Sequence, residues 1–155
     1  VGDRVVNPDL ARTLRTIAQE GADGFYTGSI AEVIAADMAA NDALLSASDL
    51  AAFRAKIQTP IETDYRGYRV TTNHPPGGGL MLAEMLNILE NFDLAALGHN
   101  SAEYLRVVCE AMKQATIDKD AHIGDPAFVT VPMERLLSKG YAAEVADRIR
   151  RDVVA

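Results

Sequence analysis

The sequence predicts an α+β fold that is mainly α-helical and contains one small β-hairpin. In the first and last thirds of the 155 residues, apolar side chains recur at the spacing of amphipathic helices. The middle third instead holds two β-rich runs, 56–64 and 68–73, on either side of a turn at 65–67. Hydrophobic residues make up 48% of the chain and charged residues 24%, which is typical of a globular domain and not of a disordered one.

Charge and cysteine content exclude several classes of protein. The 15 basic and 22 acidic residues give a net charge of −7, and no basic face is evident, which argues against nucleic acid as a partner. The longest apolar stretch, residues 79–89, is interrupted by Glu84 and Asn87 and is too short to span a membrane. A single cysteine, Cys109, excludes an internal disulfide framework. No basic segment followed by an apolar run opens the chain, so we expect no signal peptide within it.

Helix-start signals open three elements in the first third. Asn7, Pro8 and Asp9 supply an N-cap, a first-turn proline and an acidic residue at the positive end of the helix dipole. We expect Gly21 to end this first helix. A second helix is predicted to begin with a capping box at residues 29–32, and a third at residues 46–49 that reaches Phe53. The predicted apolar faces of the first two helices are Leu10, Leu14, Ile17 and Ala18, and Ile30, Val33, Ile34 and Met38.

The middle of the chain changes from helical to β character. Pro60 predicts that the first strand is short or lies at an edge, because proline cannot donate to a ladder. Residues 74–79 (His-Pro-Pro-Gly-Gly-Gly) are predicted to form an irregular loop, because neither proline nor glycine continues a ladder. The helix predicted at 80–91 is apolar around most of its circumference, so we expect it to be buried between layers. On the second strand, Tyr68, Val70 and Thr72 are expected to share one face.

Three helices are predicted in the last third. Ser101 caps a long helix that ends before a Gly-Asp-Pro turn at 124–126. Pro132 opens a short helix that Gly140 ends, and residues 141–149 form the last helix. The predicted buried stripe of the long helix is Tyr104, Leu105, Val108, Met112 and Ala115.

The glycine run at 77–79 suggests a phosphate-binding loop, because glycines let backbone N–H groups approach an anion at a helix N-terminus. Leu80 to Leu82 follow it, however, where the Walker pattern requires Gly-Lys-Ser/Thr, and the dinucleotide fingerprint does not fit either. The sequence therefore favours a conformational role, in which the run turns the chain sharply into a helix.

Residue types that bind metals or act as nucleophiles are also present without a recognisable pattern. Asp118, Asp120, His122 and Asp125 lie close in sequence but lack the spacing and closing glutamate of a calcium loop, so we interpret them as a solvated helix end. We expect Cys109 to lie on the buried side of its helix as a small hydrophobe. The histidines are scattered, and no Gly-x-Ser-x-Gly elbow occurs. No metal or cofactor is predicted.

The order of several segments resembles the γ-glutamyltransferase (γ-glutamyltranspeptidase) family across nearly all 155 residues. Tyr-Arg-Gly-Tyr at 65–68, Pro-Pro-Gly at 75–77 and Gly-Asp-Pro at 124–126 are together fairly specific. The other similar runs lie at 9–18, 24–31, 49–53, 59–61, 85–90, 110–113 and 127–132. The region that is similar is the C-terminal part of the family's large subunit, a scaffold fragment of the αββα N-terminal-nucleophile hydrolase fold.

The resemblance implies an enzyme that cuts its own precursor into a large and a small subunit. The threonine exposed at the start of the small subunit attacks γ-glutamyl amides such as glutathione, with its own α-amino group as base. Water or an amino-acid or peptide acceptor then resolves the γ-glutamyl enzyme. Nothing in this sequence matches the family's nucleophile, oxyanion or substrate-carboxylate motifs, so no catalytic, substrate-binding, cofactor or metal residue is assigned, and we expect residues 1–155 to be inactive alone.

One similarity to the small subunit is superficial. Thr71 and Thr72 precede Asn73 and His74, whereas the small subunit begins Thr-Thr-His, so the spacing differs by one residue. They also follow a motif that the family places well inside the large subunit. We therefore interpret both threonines as ordinary strand residues.

Because the region resembles only part of a larger enzyme, we expect it to have protein partners. We treat residues 1–155 as one incomplete scaffold region, whose expected partners are the rest of the large subunit and the small catalytic subunit. Self-association through Tyr68, Val70, Leu82 or Leu86 is expected if that face is uncovered.

The alternative functions are a stand-alone helical interaction module, or a fragment of a related acylase or poly-γ-glutamate-processing enzyme. Bacterial members of the family are often exported to the periplasm or secreted, but the sequence itself does not indicate a compartment.

Overall fold

The computed structural model describes residues 2–151, which form seven helices and a two-stranded sheet. The predicted class, mainly helical α+β with one hairpin, is confirmed. The chain divides into two compact units, an N-terminal unit of residues 1–57 and a C-terminal unit of residues 58–155. The treatment of residues 1–155 as one incomplete scaffold region stays a prediction.

The N-terminal unit consists of α1 (Pro8–Tyr26), α2 (Ser29–Ala40) and α3 (Ala47–Ala52), which pack against one another. Asn7 caps α1, since its Oδ1 accepts from Leu10 N at 2.9 Å. Gly21 does interrupt the helical backbone with φ of 68°, but the helix resumes and continues to Tyr26. Gly21 therefore produces a kink and not the predicted helix end.

Capping was predicted correctly at α3 and wrongly at α2. Ser46 and Asp49 form a reciprocal capping box, with Asp49 Oδ2 accepting from Ser46 N at 2.8 Å. At α2 the capping position is Gly28, no side chain caps it, and Ser29 is already the first helical residue. The predicted apolar face of α2 is also shifted, because Val33 is 70% exposed while Ala31 is buried.

In the C-terminal unit, β1 (Ile61–Tyr65) pairs antiparallel with β2 (Tyr68–Thr72). β1 begins immediately after Pro60, so it is shorter than the predicted run from residue 56. Arg66 and Gly67, with φ of 50° and 83°, form the two-residue turn between the strands. Positive φ at both positions is the requirement of a type I′ turn, which matches the twist of a hairpin.

Helix α4 (Gly79–Leu89) is the centre of the C-terminal unit and packs against the hairpin and all three later helices. These are α5 (Ala102–His122), α6 (Met133–Leu136) and α7 (Lys139–Arg150). Two apolar clusters surround α4 and contain, as buried members, Ile88, Val107, Ala111, Ala142, Val145 and Ile149 in one and Ile61, Leu80 and Leu136 in the other. The expectation that this helix is buried between layers is confirmed, although Leu82 is 46% exposed.

Two predictions about the later helices were wrong. The buried face of α5 is Val107, Ala111, Gln114, Ala115 and Asp118. Of the predicted stripe only Ala115 is fully buried, and Leu105 and Met112 are about half exposed. Small alanines allow close approach to α4, and the polar members join a hydrogen-bonded cluster. Gly140 does not end a helix either: α7 begins at Lys139, with Ser138 as its cap.

Candidate functional site

The glycine loop before α4 is held by close packing. A β-carbon on Gly79 would overlap the Asn73 carbonyl oxygen and Thr72 Oγ1, and one on Gly77 would overlap the Asn73 amide. The backbone of neither glycine lies in the left-handed region, so the requirement is for space and not for a special φ. His74 Nε2 contacts the Thr59 carbonyl oxygen at 2.5 Å and ties the start of the loop to the approach to β1. These contacts support the predicted conformational role.

The acidic residues near the end of α5 do not converge. Asp118 is buried and faces α7, whereas Asp120 is exposed and pairs with Lys119 at 2.5 Å. Asp125 Oδ1 accepts from Ala127 N in a turn. Over residues 2–151, no group of three or more His, Cys, Asp or Glu side chains is placed to hold a metal ion.

The remaining sequence candidates lie apart from one another. Thr71 and Thr72 are strand residues of β2, paired with Glu62 and Ile61 of β1. Cys109 is exposed, so its predicted burial was wrong. It lies on the same outward side of α5 as the half-exposed Met112. None of the described helices is long and apolar enough to cross a membrane.

A buried polar cluster that sequence reasoning missed lies between α4, α5 and α7. Asp118 Oδ2 accepts hydrogen bonds from Tyr141 Oη at 2.5 Å and from Gln114 Nε2 at 2.7 Å. Gln114 Oε1 in turn accepts from Arg148 at 3.1 Å. Glu84 of α4, which is fully buried, lies close enough to Asp118 to interact with it. The cluster therefore places two carboxyl groups together in the interior.

The surroundings separate the pKa values of the two carboxyl groups. Burial raises the pKa of Glu84, and the neighbouring Asp118 raises it further, to about 8, against a small opposing effect of Arg135. Burial also acts to raise the pKa of Asp118, but hydrogen bonds from Tyr141, Gln114 and Glu84 outweigh it, and that pKa is lowered. Burial and the bond to Asp118 raise the pKa of Tyr141 to about 12. The pKa values of the two neighbouring carboxyl groups are thus shifted in opposite directions.

An open cleft of about 510 Å³ lies beside this cluster. The guanidinium of Arg135 stacks over the Tyr141 ring at 4.4 Å from its centroid. The cleft is lined by Gln114, Asp118, Arg135, Tyr141, Glu144, Asp147, Arg148 and Arg151. These side chains offer charges of both signs and hydrogen-bonding groups, but the lining contains no serine, threonine or cysteine to act as a nucleophile.

A second polar cluster joins the hairpin to α4 and α7. Asn87 is fully buried, its Oδ1 accepts from Thr63 at 2.7 Å and from Lys139 at 2.7 Å, and its Nδ2 donates to the Leu137 carbonyl at 3.0 Å. Each polar atom of this amide thus has a partner, as a buried amide requires. One signal in the sequence could have identified both clusters: Glu84 and Asn87 are polar residues three apart in an otherwise apolar helix, which places them on one side of it.

Comparison with known proteins gives a consistent result. The family model described as gamma-glutamyltranspeptidase matches residues 1–155. The chain is 46% identical over 149 residues to a glutathione hydrolase proenzyme of Escherichia coli (strain K12), covering 96% of this chain but 26% of that protein. The chain therefore spans about a quarter of the length of this curated relative.

Solved structures of related enzymes support the same family relationship. The Helicobacter pylori gamma-glutamyltranspeptidase structure is 41% identical with a TM-score of 0.87, over 99% of this chain and 44% of that one. A cephalosporin acylase from Bacillus halodurans is 37% identical with a TM-score of 0.76, over 88% of this chain and 25% of that one. These similarities support the predicted relation to the N-terminal-nucleophile hydrolase fold. With a family match over its whole length, the chain belongs to the gamma-glutamyltranspeptidase family.

Proposed function

We propose that this chain is the scaffold part of an enzyme that transfers γ-glutamyl groups from glutathione-like donors to water or to amino-acid and peptide acceptors. The observation that supports this proposal most directly is the family match over residues 1–155. The E. coli relative named glutathione hydrolase proenzyme supports the choice of substrate class. The chain covers only 26% of the E. coli relative, and the rest of that length is where we propose the catalytic part to lie.

The reaction expected of the whole enzyme needs groups that no described cluster supplies. A threonine hydroxyl adds to the γ-glutamyl carbonyl while the threonine's own amino group takes the hydroxyl proton, and the amine leaves with a proton as the ester forms. Water or an acceptor amine then attacks the ester and releases the threonine. Each attack produces a tetrahedral intermediate with a negatively charged oxygen, and this oxyanion needs preorganised hydrogen-bond donors. The cleft beside Asp118 has no such nucleophile, so we place this chemistry in the missing catalytic part.

The role proposed for this chain is to support that catalytic part. Tyr68 of β2 is 75% exposed, Leu82 of α4 is 46% exposed, and Leu105 and Met112 of α5 are 47% and 49% exposed. Large apolar side chains left in water on a hairpin and on two helices suit a protein interface. We propose that the rest of the large subunit and the small catalytic subunit cover these faces.

An assay with a γ-glutamyl anilide tests the division of labour. The 155-residue chain alone should release no product, whereas the protein encoded by the complete reading frame should release it. Thr71→Ala and Thr72→Ala in the complete protein should leave turnover largely unchanged, because both are strand residues. Turnover by the pure chain that either substitution abolishes would overturn the proposal. A reading frame confined to these residues would instead favour a helical interaction module.

An acylase is the second candidate, supported by the 37% identity to the Bacillus halodurans cephalosporin acylase. Both reactions cleave an amide through a covalent acyl-enzyme, so they differ in the acyl group and not in the chemistry. Comparing the complete protein on a γ-glutamyl anilide and on a cephalosporin side-chain amide separates them. Faster hydrolysis of the cephalosporin would assign the chain to an acylase.

A further inference from the structure

Two acidic side chains lie together in the interior of the C-terminal unit. Glu84 of α4 is 0% exposed and Asp118 of α5 is 4% exposed, and across the packed contact between these helices each carboxyl group lies close enough to act on the other. Ionised carboxylates are acceptors only, so two of them cannot hydrogen-bond to each other. Accordingly, neither Glu84 oxygen has a hydrogen-bond donor among residues 2–151. A buried acceptor without a donor is costly, and a proton placed between the two groups removes that cost.

The donors in this region are already directed to Asp118. Tyr141 and Gln114 both donate to its Oδ2, which stabilises the ionised form of Asp118. Glu84 receives neither of these hydrogen bonds. The proton shared by the pair therefore belongs on Glu84, which can then donate to Asp118.

The charged groups on the surrounding elements do not neutralise Glu84. Arg135 of α6 acts on it weakly, and its guanidinium lies over the Tyr141 ring. Lys139 of α7 is directed instead to Glu90 and to oxygens of Asp64 and Asn87. The charged hairpin residues Glu62, Asp64, Arg66 and Arg69 are all exposed.

We propose that Glu84 and Asp118 share a single proton in the native fold and that this proton makes the packing of α4 against α5 sensitive to pH. With the proton in place, the contact is a hydrogen bond between a carboxylic acid and a carboxylate. Without it, two negative charges lie close together on side chains that are almost fully buried. The proton therefore affects the stability of the fold, and its effect is separate from the γ-glutamyl chemistry.

The direction of the pH effect follows from linkage. The pKa of Glu84, raised to about 8 by burial and by Asp118, exceeds its ordinary value of 4.5. Between these values the folded chain holds a proton that the unfolded chain has released, so stability falls as pH rises through this range. Below the range the contribution is fully present, and above it no further loss occurs.

The test compares urea unfolding of the 155-residue chain and of Glu84→Gln from about pH 5 to about pH 9. The native chain should lose up to about tenfold in its folding equilibrium constant per pH unit from this one group, with levelling above pH 8. Glu84→Gln, whose amide donates to Asp118 at every pH, should lack that component. Glu62→Gln, a change at an exposed strand carboxylate, should behave like the native chain. An unchanged pH dependence in Glu84→Gln would overturn the proposal.

Carbon-13 NMR of the glutamate carboxyl groups gives a result that does not depend on any variant folding. One glutamate carboxyl of the native chain should titrate well above the others, close to pH 8. If every glutamate carboxyl titrates below about pH 6, the pair shares no proton at neutral pH and the proposal is wrong.

Discussion

Lys139 Nζ lies 2.7 Å from Asn87 Oδ1 and so joins the first turn of α7 to the buried side of α4. The same ammonium group donates to Glu90 Oε2 at 2.6 Å and to the Asp64 carbonyl oxygen at 2.5 Å. One cation thus connects β1, α4 and α7. The hairpin, which would be marginal alone, is held partly by this connection.

Replacing Lys139 with Met should lower the free energy of unfolding by about 1 to 3 kcal/mol, because hydrogen bonds to a charged donor are lost and a buried amide loses a partner. The Lys139 side chain is 49% exposed, so water offsets part of the loss. Urea unfolding measures the change. Lys119→Met, which removes an exposed pair with Asp120, is the matched control and should change stability by less than about 0.5 kcal/mol. Equal effects of the two substitutions would contradict the assigned role.

Glu90 should make the chain sensitive to acid through the same connection. Its pKa is lowered by hydrogen bonds from Lys139 and from the Arg66 backbone N–H. Its stabilising contribution is therefore present above the ordinary value of 4.5 and is lost as pH falls through the folded pKa. As pH falls from the ordinary value of 4.5 through the folded pKa, thermal unfolding should show a steeper loss of stability for the native chain than for Lys139→Met. Parallel curves would argue against the connection.

Gly79→Ala should prevent stable folding of the C-terminal unit or cost several kcal/mol, because the new β-carbon would overlap backbone and side-chain atoms of Asn73. Gly140→Ala is the matched control. Apart from its chain neighbours and the nearby backbone of α7 itself, nothing lies within 4 Å of a β-carbon at that position, so alanine there should be neutral or stabilising by up to about 1 kcal/mol. Circular dichroism during thermal unfolding distinguishes the two. Similar melting temperatures would show that the loop can relax.

Cys109 should react with a thiol reagent in the folded chain nearly as completely as in the urea-unfolded chain, because its side chain is exposed. Mass spectrometry after a short treatment with iodoacetamide measures the extent. Cys109→Ser should change stability by less than about 0.5 kcal/mol. Protection of the thiol in the native chain would mean that another surface covers this side of α5.

The apolar side chains of the hairpin and α4 should promote self-association of the isolated chain. Tyr68 and Leu82 are 75% and 46% exposed, and removing such area from water is favourable by about 25 cal/mol per Å² before the cost of association. Light scattering over a wide concentration range should show a rising mean mass, reduced in the double variant Tyr68→Ser/Leu82→Gln. A constant monomer mass that binds no hydrophobic dye would contradict this prediction.

Local signals in the sequence determined most of the element boundaries. The caps at Asn7, Ser46 and Ser101 were correctly identified, because each acts within its own helical turn. Helical periodicity failed for α5, where Ala111 and Ala115 face the core and Leu105 and Met112 do not. Hydrophobicity alone cannot tell which of two adjacent faces is covered, since that depends on the side chains of the facing helix.

Helical periodicity and capping signals do not show which residues meet in the buried polar cluster. Its bonds join residues far apart in sequence, such as Asp118 with Tyr141, and only the packed fold brings them together. Glu84 and Asn87 do interrupt an apolar run, and their polarity alone indicates only that this run does not span a membrane. Because Glu84 and Asn87 are three residues apart, they lie on the same side of the helix. That spacing predicts a shared polar surface, which their polarity alone does not.

The packing of Gly77 and Gly79 against Asn73 limits how this protein can be recombined with its relatives. The asparagine and the two glycines interlock, so a chimera whose junction falls between residues 73 and 79 combines halves that were shaped for different neighbours. A junction at the Arg66-Gly67 turn leaves the interlocked segment whole. Residues 73–79 are best exchanged between homologues as one cassette.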